Sequence, residues 1–466
     1  MCSARLLTTL AVIALWLGGN AAGAQEDRVP GAQWTKLDSP ATQGWSAETL
    51  NKAREFSKSI GTTALMIVQN GVVVAEWGDV AVKSPAHSVR KSLLSALIGI
   101  AVEEGKIDLS STLEELGIDD NEPSLTEIEK QATVGDLIKA RSGIYHAALY
   151  ETRRMTASKP ERGSHAPGAF WHYNNWDFNA LGTIYRRQTG EDIFEAFDSR
   201  IAKPLQMQDY VPSDGEYVTG WQSEHEAYPF RISARDLARF GLLYLRKGQW
   251  NGRQIVPENW IAESTKTHSK GKRDRGYGYM WWTGDSGFRS VGIKGPVFYA
   301  AGYRRQYAFV FPERDLVIVH RINSDTTKTI PHRRQVAHLM WLIFRASGDT
   351  SLAPSQAIED ASGERLSGSA ISALFPGVSV SGKNSRTGNP YKITFSDDGS
   401  LSAVAGENGD SKDDGRWWVD EDLYCQAYEN WLRGREYCFQ IVHDGDLLKL
   451  FDRKGVLTNT VSIDKD

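Results

Sequence analysis

Ser88 and Lys91 stand three residues apart in the stretch HSVRKSLLSALIGIAVEEGKIDL, which runs from His87 to Leu109. From Leu93 onward the stretch is apolar on almost every face, as a helix inside a protein is, and Gly105 supplies a natural stop. Residues three apart on a helix share one face, with Cβ atoms about 5–6 Å apart. A serine at a helix start has its N–H among the unpaired donors of the first turn, where the helix dipole favours negative charge. A lysine one turn on, against an apolar helix, is pushed towards its neutral form by desolvation. It can then take the proton of a serine hydroxyl. The pair therefore predicts a nucleophile, its base and an oxyanion donor at one point. The spacing alone is a weak signal, since Ser269/Lys272 and Ser462/Lys465 repeat it. Those two lie in a polar run and at the extreme C-terminus. Only Ser88/Lys91 opens an apolar helix.

A second group adds to the first. In FWHYNNWDFNALGTIYRRQTG, Tyr173-Asn174-Asn175 precedes another apolar-faced helix. A tyrosine there can move protons as a general acid or base, and Asn175 can donate to a substrate carbonyl. Tyr428-Glu429-Asn430 carries the same pattern near the C-terminus, and a lone tyrosine serves the core as readily as catalysis.

The elements that must position these groups can be read around them. A surface helix spans Glu48 to Ser59. ALMIVQNGVVVAEWG is two apolar runs about Asn70-Gly71, the signature of a type I′ hairpin. Thr133/Asp136 and Ser233/Asp236 read as capping pairs of two helices. VFYAAG, QYAFVF and DLVIVHRI read as late strands, with a turn at Pro312–Asp315, and RQVAHLMWLIFRAS as a closing helix. Early and late strands with helices between them predict an α+β fold: an antiparallel sheet flanked by helices, with a helical insertion. SGDTSLAPSQAIEDASGE reads as a linker. Beyond it come short strand-like runs of a small all-β domain, with Cys425 and Cys438 on neighbouring strands. Trp417, Trp418, Tyr424 and Trp431 there suit either its core or a sugar- or partner-binding face.

The 466 residues carry a formal charge of −4 and show no basic stripe, which argues against nucleic acid as a partner. Arg5, the apolar run Leu6–Leu17 and Ala22-Gly23-Ala24 before Gln25 read as a secretory signal peptide. The run is too short for a comfortable membrane span, and Cys2 lies inside the signal, so no anchor is expected after cleavage. The expected organisation is signal peptide 1–24, main domain 25–348, linker 349–365 and all-β domain 366–466. A periplasmic or secreted protein suits a Cys425–Cys438 disulfide. There is no G-x-S-x-G elbow, no H-E-x-x-H, no close His/Cys cluster and no phosphate-cradling glycine loop, so neither metal nor cofactor is expected.

With these pieces in order, the chain resembles the serine hydrolase superfamily of class C β-lactamases, related esterases and penicillin-recognising peptidases. It is most similar to the branch that includes aminohexanoate-dimer hydrolases. The resemblance rests on SVRKSLLSALIGIAVEEGKIDL, VGDLIKARSGI, YNNWDFNALGTI, ISARDLARFGLLYLRKGQWNGRQIVPENWI and YAAGYRRQYAFVFPERDLVIV, from about Thr62 to Asn323. It implies a β-lactamase/transpeptidase-like fold and catalysis by Ser88 as acylated nucleophile, Lys91 as base and Tyr173 as proton shuttle. Asn175 would hold the substrate, a small ester or amide. The family's third motif, often Lys-Thr-Gly or His-x-Gly, is Ala300-Ala301-Gly302 here, so its cation is missing, which argues against a true β-lactamase. The residue after that glycine, Tyr303, would give the second oxyanion N–H beside that of Ser88. Relatives often carry two glycines before a glutamine; this chain has Arg304-Arg305-Gln306. The two arginines suit a substitute carboxylate clamp or a solvent-facing strand start. His146 and His172 fall near motif positions and suit structural or substrate-contact roles. Two alternatives stay open: a weak β-lactamase or D-amino-acid peptidase, and a non-catalytic binder of cell-wall fragments.

Overall fold

The computed structural model describes residues 28–271, 275–284, 292–349, 361–384 and 388–464. The signal peptide and most of the stretch read as a linker lie outside the described residues. The predicted hairpin is present: β1 (Ala64–Gln69) and β2 (Val72–Gly78) are antiparallel neighbours. Asn70 and Gly71 both take positive φ, 51° and 72°, as a type I′ turn demands. A Cβ on Gly71 would lie 2.1 Å from the Arg28 carbonyl oxygen, so glycine is needed for space as well as conformation.

Six further strands complete one antiparallel sheet: β3 (Ser269–Lys270), β4 (Gly276–Tyr277), β5 (Trp282–Gly284), β6 (Val297–Gly302), β7 (Gln306–Phe311) and β8 (Leu316–Arg321). Their order is β2-β1-β8-β7-β6-β5-β4-β3, so the hairpin from the start of the domain pairs with its last strand. The strand period of two sorts their side chains between two cores. Met66, Val68, Val317 and Val319 join a core containing α2 (Arg90–Glu103), α3 (Asn175–Thr189) and α4 (Ala234–Leu245). Leu65, Ile67, Leu316 and Ile318 face α1 (Ala47–Ser59) and α5 (Arg333–Ala346) on the other side. With both faces covered, the strands read as unbroken apolar runs, which is why they were visible in the sequence.

The Thr133/Asp136 capping box forms as expected. The Ser233/Asp236 pair forms by half: the Ser233 hydroxyl accepts from Asp236 N–H, but the Asp236 carboxylate accepts instead from the N–H groups of Gln208, Asp209 and Tyr210. A buried carboxylate takes the largest set of donors it can reach, and the fold brings three from another loop.

The C-terminal domain closes on itself. Its strands are β9 (Ser379–Lys383), β10 (Pro390–Phe395), β11 (Ser400–Ala405), β12 (Ser411–Asp420), β13 (Leu423–Tyr428), β14 (Tyr437–Asp444), β15 (Leu447–Phe451) and β16 (Leu457–Ile463). Each pairs with the next, and β16 pairs back with β9, giving an eight-stranded up-and-down barrel that leaves no open edge in its ring. Helix α6 (Gly368–Leu374) supplies Ile371, and Phe375 follows it into the barrel core with Trp417 and Tyr424. Those aromatic residues are core, as one of the two sequence readings had it. Trp418 and Trp431 are half-buried, against Arg416 and Tyr428. Cys425 and Cys438 stand opposite each other on β13 and β14 and are joined by a disulfide. Among the described residues no helix is long and apolar enough to cross a membrane.

Candidate active site

Ser88 sits in a 3₁₀ turn, His87–Val89, that runs directly into α2. The turn is held in a costly conformation. His87 has φ 51°, with its Nε2 2.9 Å from Ser324 Oγ and its ring edge-on to Tyr303 at 5.6 Å between centroids. Helix α2 is buried on nearly all sides, and its inner polar groups are tied down: Ser92 Oγ donates to Met280 O at 2.8 Å and Ser95 Oγ to Tyr279 O at 2.7 Å. These bonds lock the helix against the β4–β5 turn, whose Tyr277 and Trp282 form an aromatic wall.

Lys91 Nζ lies 2.9 Å from Ser88 Oγ, and the lysine is only 1 % exposed. Its amine stands 5.1 Å from the centre of the Tyr173 ring and 5.0 Å from that of Phe178. Burial pushes the Lys91 ammonium well below the usual lysine range, and the neighbouring Arg90 charge pushes the same way. Tyr173 stacks on Trp282 at 5.5 Å and meets Tyr277 edge-on at 5.8 Å. Burial holds its phenol up at about 12, against a smaller pull from a hydrogen bond with Ser88. The constellation thus contains a lysine shifted towards the amine form that can accept a proton, and a neutral phenol able to pass one on.

Asn175 opens α3 behind the Asn174 N-cap, and its amide is already engaged. Its Nδ2 donates to the carbonyls of Tyr150 at 2.6 Å and Leu149 at 3.4 Å, while its Oδ1 is buried with no protein partner. What Asn175 has left for a ligand is an acceptor, where the sequence reading expected a donor. The same amide fixes Tyr150, which has φ 66° and is 42 % exposed.

On the other side, β6 brings Gly302 against the His87–Val89 turn. Its φ is an ordinary extended −125°, but a Cβ there would lie 2.5 Å from the Ala86 carbonyl oxygen. Glycine is required by proximity, and that proximity sets Tyr303 beside His87. The Tyr303 side chain is 54 % exposed. Neither the Ser88 nor the Tyr303 N–H is taken by a backbone acceptor among the described residues.

The next three residues depart from the sequence reading. Arg304 donates to Thr327 O and Arg305 Nε to Pro331 O at 3.1 Å, so both guanidinium groups strap down the 323–331 segment, and neither side chain is simply solvated. Gln306 does not reach the cleft as a substrate ligand. It is 0 % exposed; its Nε2 donates to Ile322 O at 2.6 Å and its Oε1 accepts from Arg321 Nε at 2.8 Å. Strand alternation turns it inward. His146 is buried beside Asp120 and Glu129, and His172 lies edge-on to Tyr145 at 5.6 Å.

Three residues near the site went unassigned in the sequence. Arg90 is buried over the Tyr228 ring at 4.2 Å, with the Tyr150 ring 5.9 Å away. Arg321, also fully buried, donates through Nη2 to Ser84 and Pro85. Arg90 lay in plain sight between Ser88 and Lys91, but spacing says nothing of burial. Among the described residues, one group of metal-ligating types is close enough to share an ion, Asp420 with Cys425 and Cys438, and its sulfurs are joined to each other.

The sequence model of the beta-lactamase family matches residues 47–339. The chain belongs to the beta-lactamase family. An uncharacterised protein of Alkalihalophilus pseudofirmus is 23% identical over 310 residues, covering 59% of this chain and 87% of its own. Among solved structures, the octameric penicillin-binding protein homologue of Pyrococcus abyssi is similar over 90% of this chain and 99% of its own, at 14% identity and a TM-score of 0.52. A Bacillus anthracis protein provisionally named a 6-aminohexanoate-dimer hydrolase covers 62% of this chain and 80% of its own, at 22% identity and a TM-score of 0.47. The fold is thus the β-lactamase/transpeptidase-like fold that the resemblance implied, with an all-β barrel after it.

Proposed function

We propose that this member of the family is an exported serine hydrolase that cleaves an ester or amide through an acyl-enzyme on Ser88. The observation that carries the reading is the 2.9 Å approach of a buried, desolvated Lys91 amine to the Ser88 hydroxyl. The Lys91 amine takes the Ser88 proton as Oγ attacks the substrate carbonyl carbon. The N–H groups of Ser88 and Tyr303 receive the developing oxyanion. The proton held by Lys91 passes through the Tyr173 hydroxyl to the departing alcohol or amine. Water then attacks the acyl-enzyme, giving its proton to the same relay, and Ser88 is regenerated as the acid leaves. The Asn175 Oδ1 accepts from a substrate N–H or hydroxyl. Ala300-Ala301 in place of a cationic third motif, and arginines committed to the 323–331 segment, favour substrates without a carboxylate at that edge. Export is supported by the disulfide in the barrel.

The test is intact-protein mass spectrometry after incubation with a fluorophosphonate. One adduct on the wild type that is lost in Ser88→Ala is the expected result. No adduct on folded wild-type protein would overturn the reading.

A further inference from the structure

Arg90 is the residue between the nucleophile and its base, and its surroundings are unusual for a cation. It is 0 % exposed. Its guanidinium lies 4.2 Å from the centre of the Tyr228 ring and 5.9 Å from that of Tyr150. Nη2 donates to Asn179 Oδ1 at 2.9 Å, while Nε and Nη1 have no protein partner. Among the described residues no carboxylate pairs with it. A guanidinium keeps its charge under all ordinary conditions, and an aromatic face and one amide offset only part of what burial costs it. For packing alone, an apolar side chain of similar volume would serve better.

We infer that Arg90 is a positioning residue whose unpaired, buried charge beside Lys91 keeps the Lys91 side chain in its amine form, ready to accept the Ser88 proton. The inference rests on the hydrolase reading above.

The groups around the pair leave that charge unopposed. Tyr173 from α3, Tyr277 from β4, Tyr228 from the 218–232 segment and Tyr150 from the 144–152 segment are phenols raised above their usual range by burial, hence neutral. His87, on the nucleophile turn, is lowered to about 4 by burial first and then by Arg321, and is neutral as well. Arg321 from β8 adds a second positive charge. Three carboxyl groups come near, Glu216 reaching Tyr150 together with Asp325. Asp177 of α3 is bonded by Ser142 Oγ at 2.6 Å, and Asp325 is paired with Arg231 at the surface. In a site of low dielectric a unit charge on the adjacent residue acts strongly. After burial, the Arg90 charge lowers Lys91 further.

The test is the pH dependence of the fluorophosphonate acylation rate at Ser88, for wild type, Arg90→Gln and Asn179→Asp. The first variant removes the charge. The second leaves Arg90 in place and sets a carboxylate against it. Removing or neutralising the charge raises the Lys91 pKa, so the acid limb of the profile should move up by about one pH unit or more in both. On the limb the rate should fall about tenfold or more, while the alkaline plateau should stay within a few-fold of wild type. If Arg90→Gln does not fold, Asn179→Asp decides alone. An unmoved limb, or a uniform loss at every pH, overturns the inference and leaves the hydrolase reading intact. No Ser88-dependent adduct on the wild type at any pH sinks both together.

Discussion

The cleft and the barrel each carry a Y-x-N triplet, with Asn175 buried in the first and Asn430 exposed in the second, and they treat it in opposite ways. In the barrel, the hydroxyls of Tyr424 and Tyr428 both donate to Gln426 Oε1, at 2.6 and 3.3 Å, and Asn430 donates to Asp413 at 3.1 Å. Among the described residues the barrel has no buried side-chain polar atom without a partner. Around the cleft, Asn175 Oδ1, Arg90 Nε and Nη1, Tyr277 OH and Asp177 Oδ2 are all buried and unpaired. A buried polar group left unpaired is destabilising, so each of these costs the fold something that the barrel does not pay. The same three-residue pattern has its polar groups paired within the protein in the barrel, and in the cleft leaves the Asn175 Oδ1 without a protein partner.

The sharpest way to break this contrast is at Lys91. Lys91→Met should lower the Ser88 acylation rate by about 10³-fold. The same change should leave thermal stability equal or higher, because it replaces a buried amine by an apolar chain. A large loss of Tm would make Lys91 a structural residue like those of the barrel. Gly302→Ala comes next. Its Cβ must displace the β6 edge from Ala86 and with it the Tyr303 N–H, for a loss of about 10²-fold in acylation with a folded protein. Acylation at the wild-type rate would separate Tyr303 from the oxyanion site.

The barrel gives the mirror image. Gln426→Leu leaves two phenols unpaired and should cost about 1–3 kcal/mol in denaturant unfolding, with no change in acylation at Ser88. The smallest effect is a pH dependence. Burial raises the Asp177 carboxyl to about 7 in the folded protein. A carboxyl raised on folding contributes its stability below its unfolded pKa and loses it as pH rises through the folded value. Wild type should therefore lose stability relative to Asp177→Asn between about pH 4 and pH 8; a pH-independent difference in unfolding midpoint would show that Asp177 is not held protonated.

Much of the fold was legible because it depends on local signals. Asn70-Gly71 fixed a turn, Thr133/Asp136 a helix start, and the runs from Val297 to Arg321 the late strands, since each encodes its own conformation. The barrel strands were visible too, but their closure was not, because pairing β16 with β9 joins residues about eighty positions apart. At the site, the spacing of Ser88 and Lys91 was enough to propose a contact. Gln306 was misplaced because sequence adjacency to Tyr303 says nothing of which face of a strand a side chain takes, and Arg304 because the left-handed turn it occupies aims it at Thr327 O. Arg90 was passed over because a charged residue reads as a surface residue until its burial is known.

The sequence by itself determined the elements and which residues carry reactive groups, because capping, turn geometry and hydrophobic period act over a few residues. Only the tertiary structure decided what those groups are. Burial by α3, the β4–β5 turn and the 218–232 segment removes water from Lys91, Tyr173 and Arg90, and the free energy of an ionised group is set by the solvent it has lost and the charges it has gained. Both are properties of distant segments brought together.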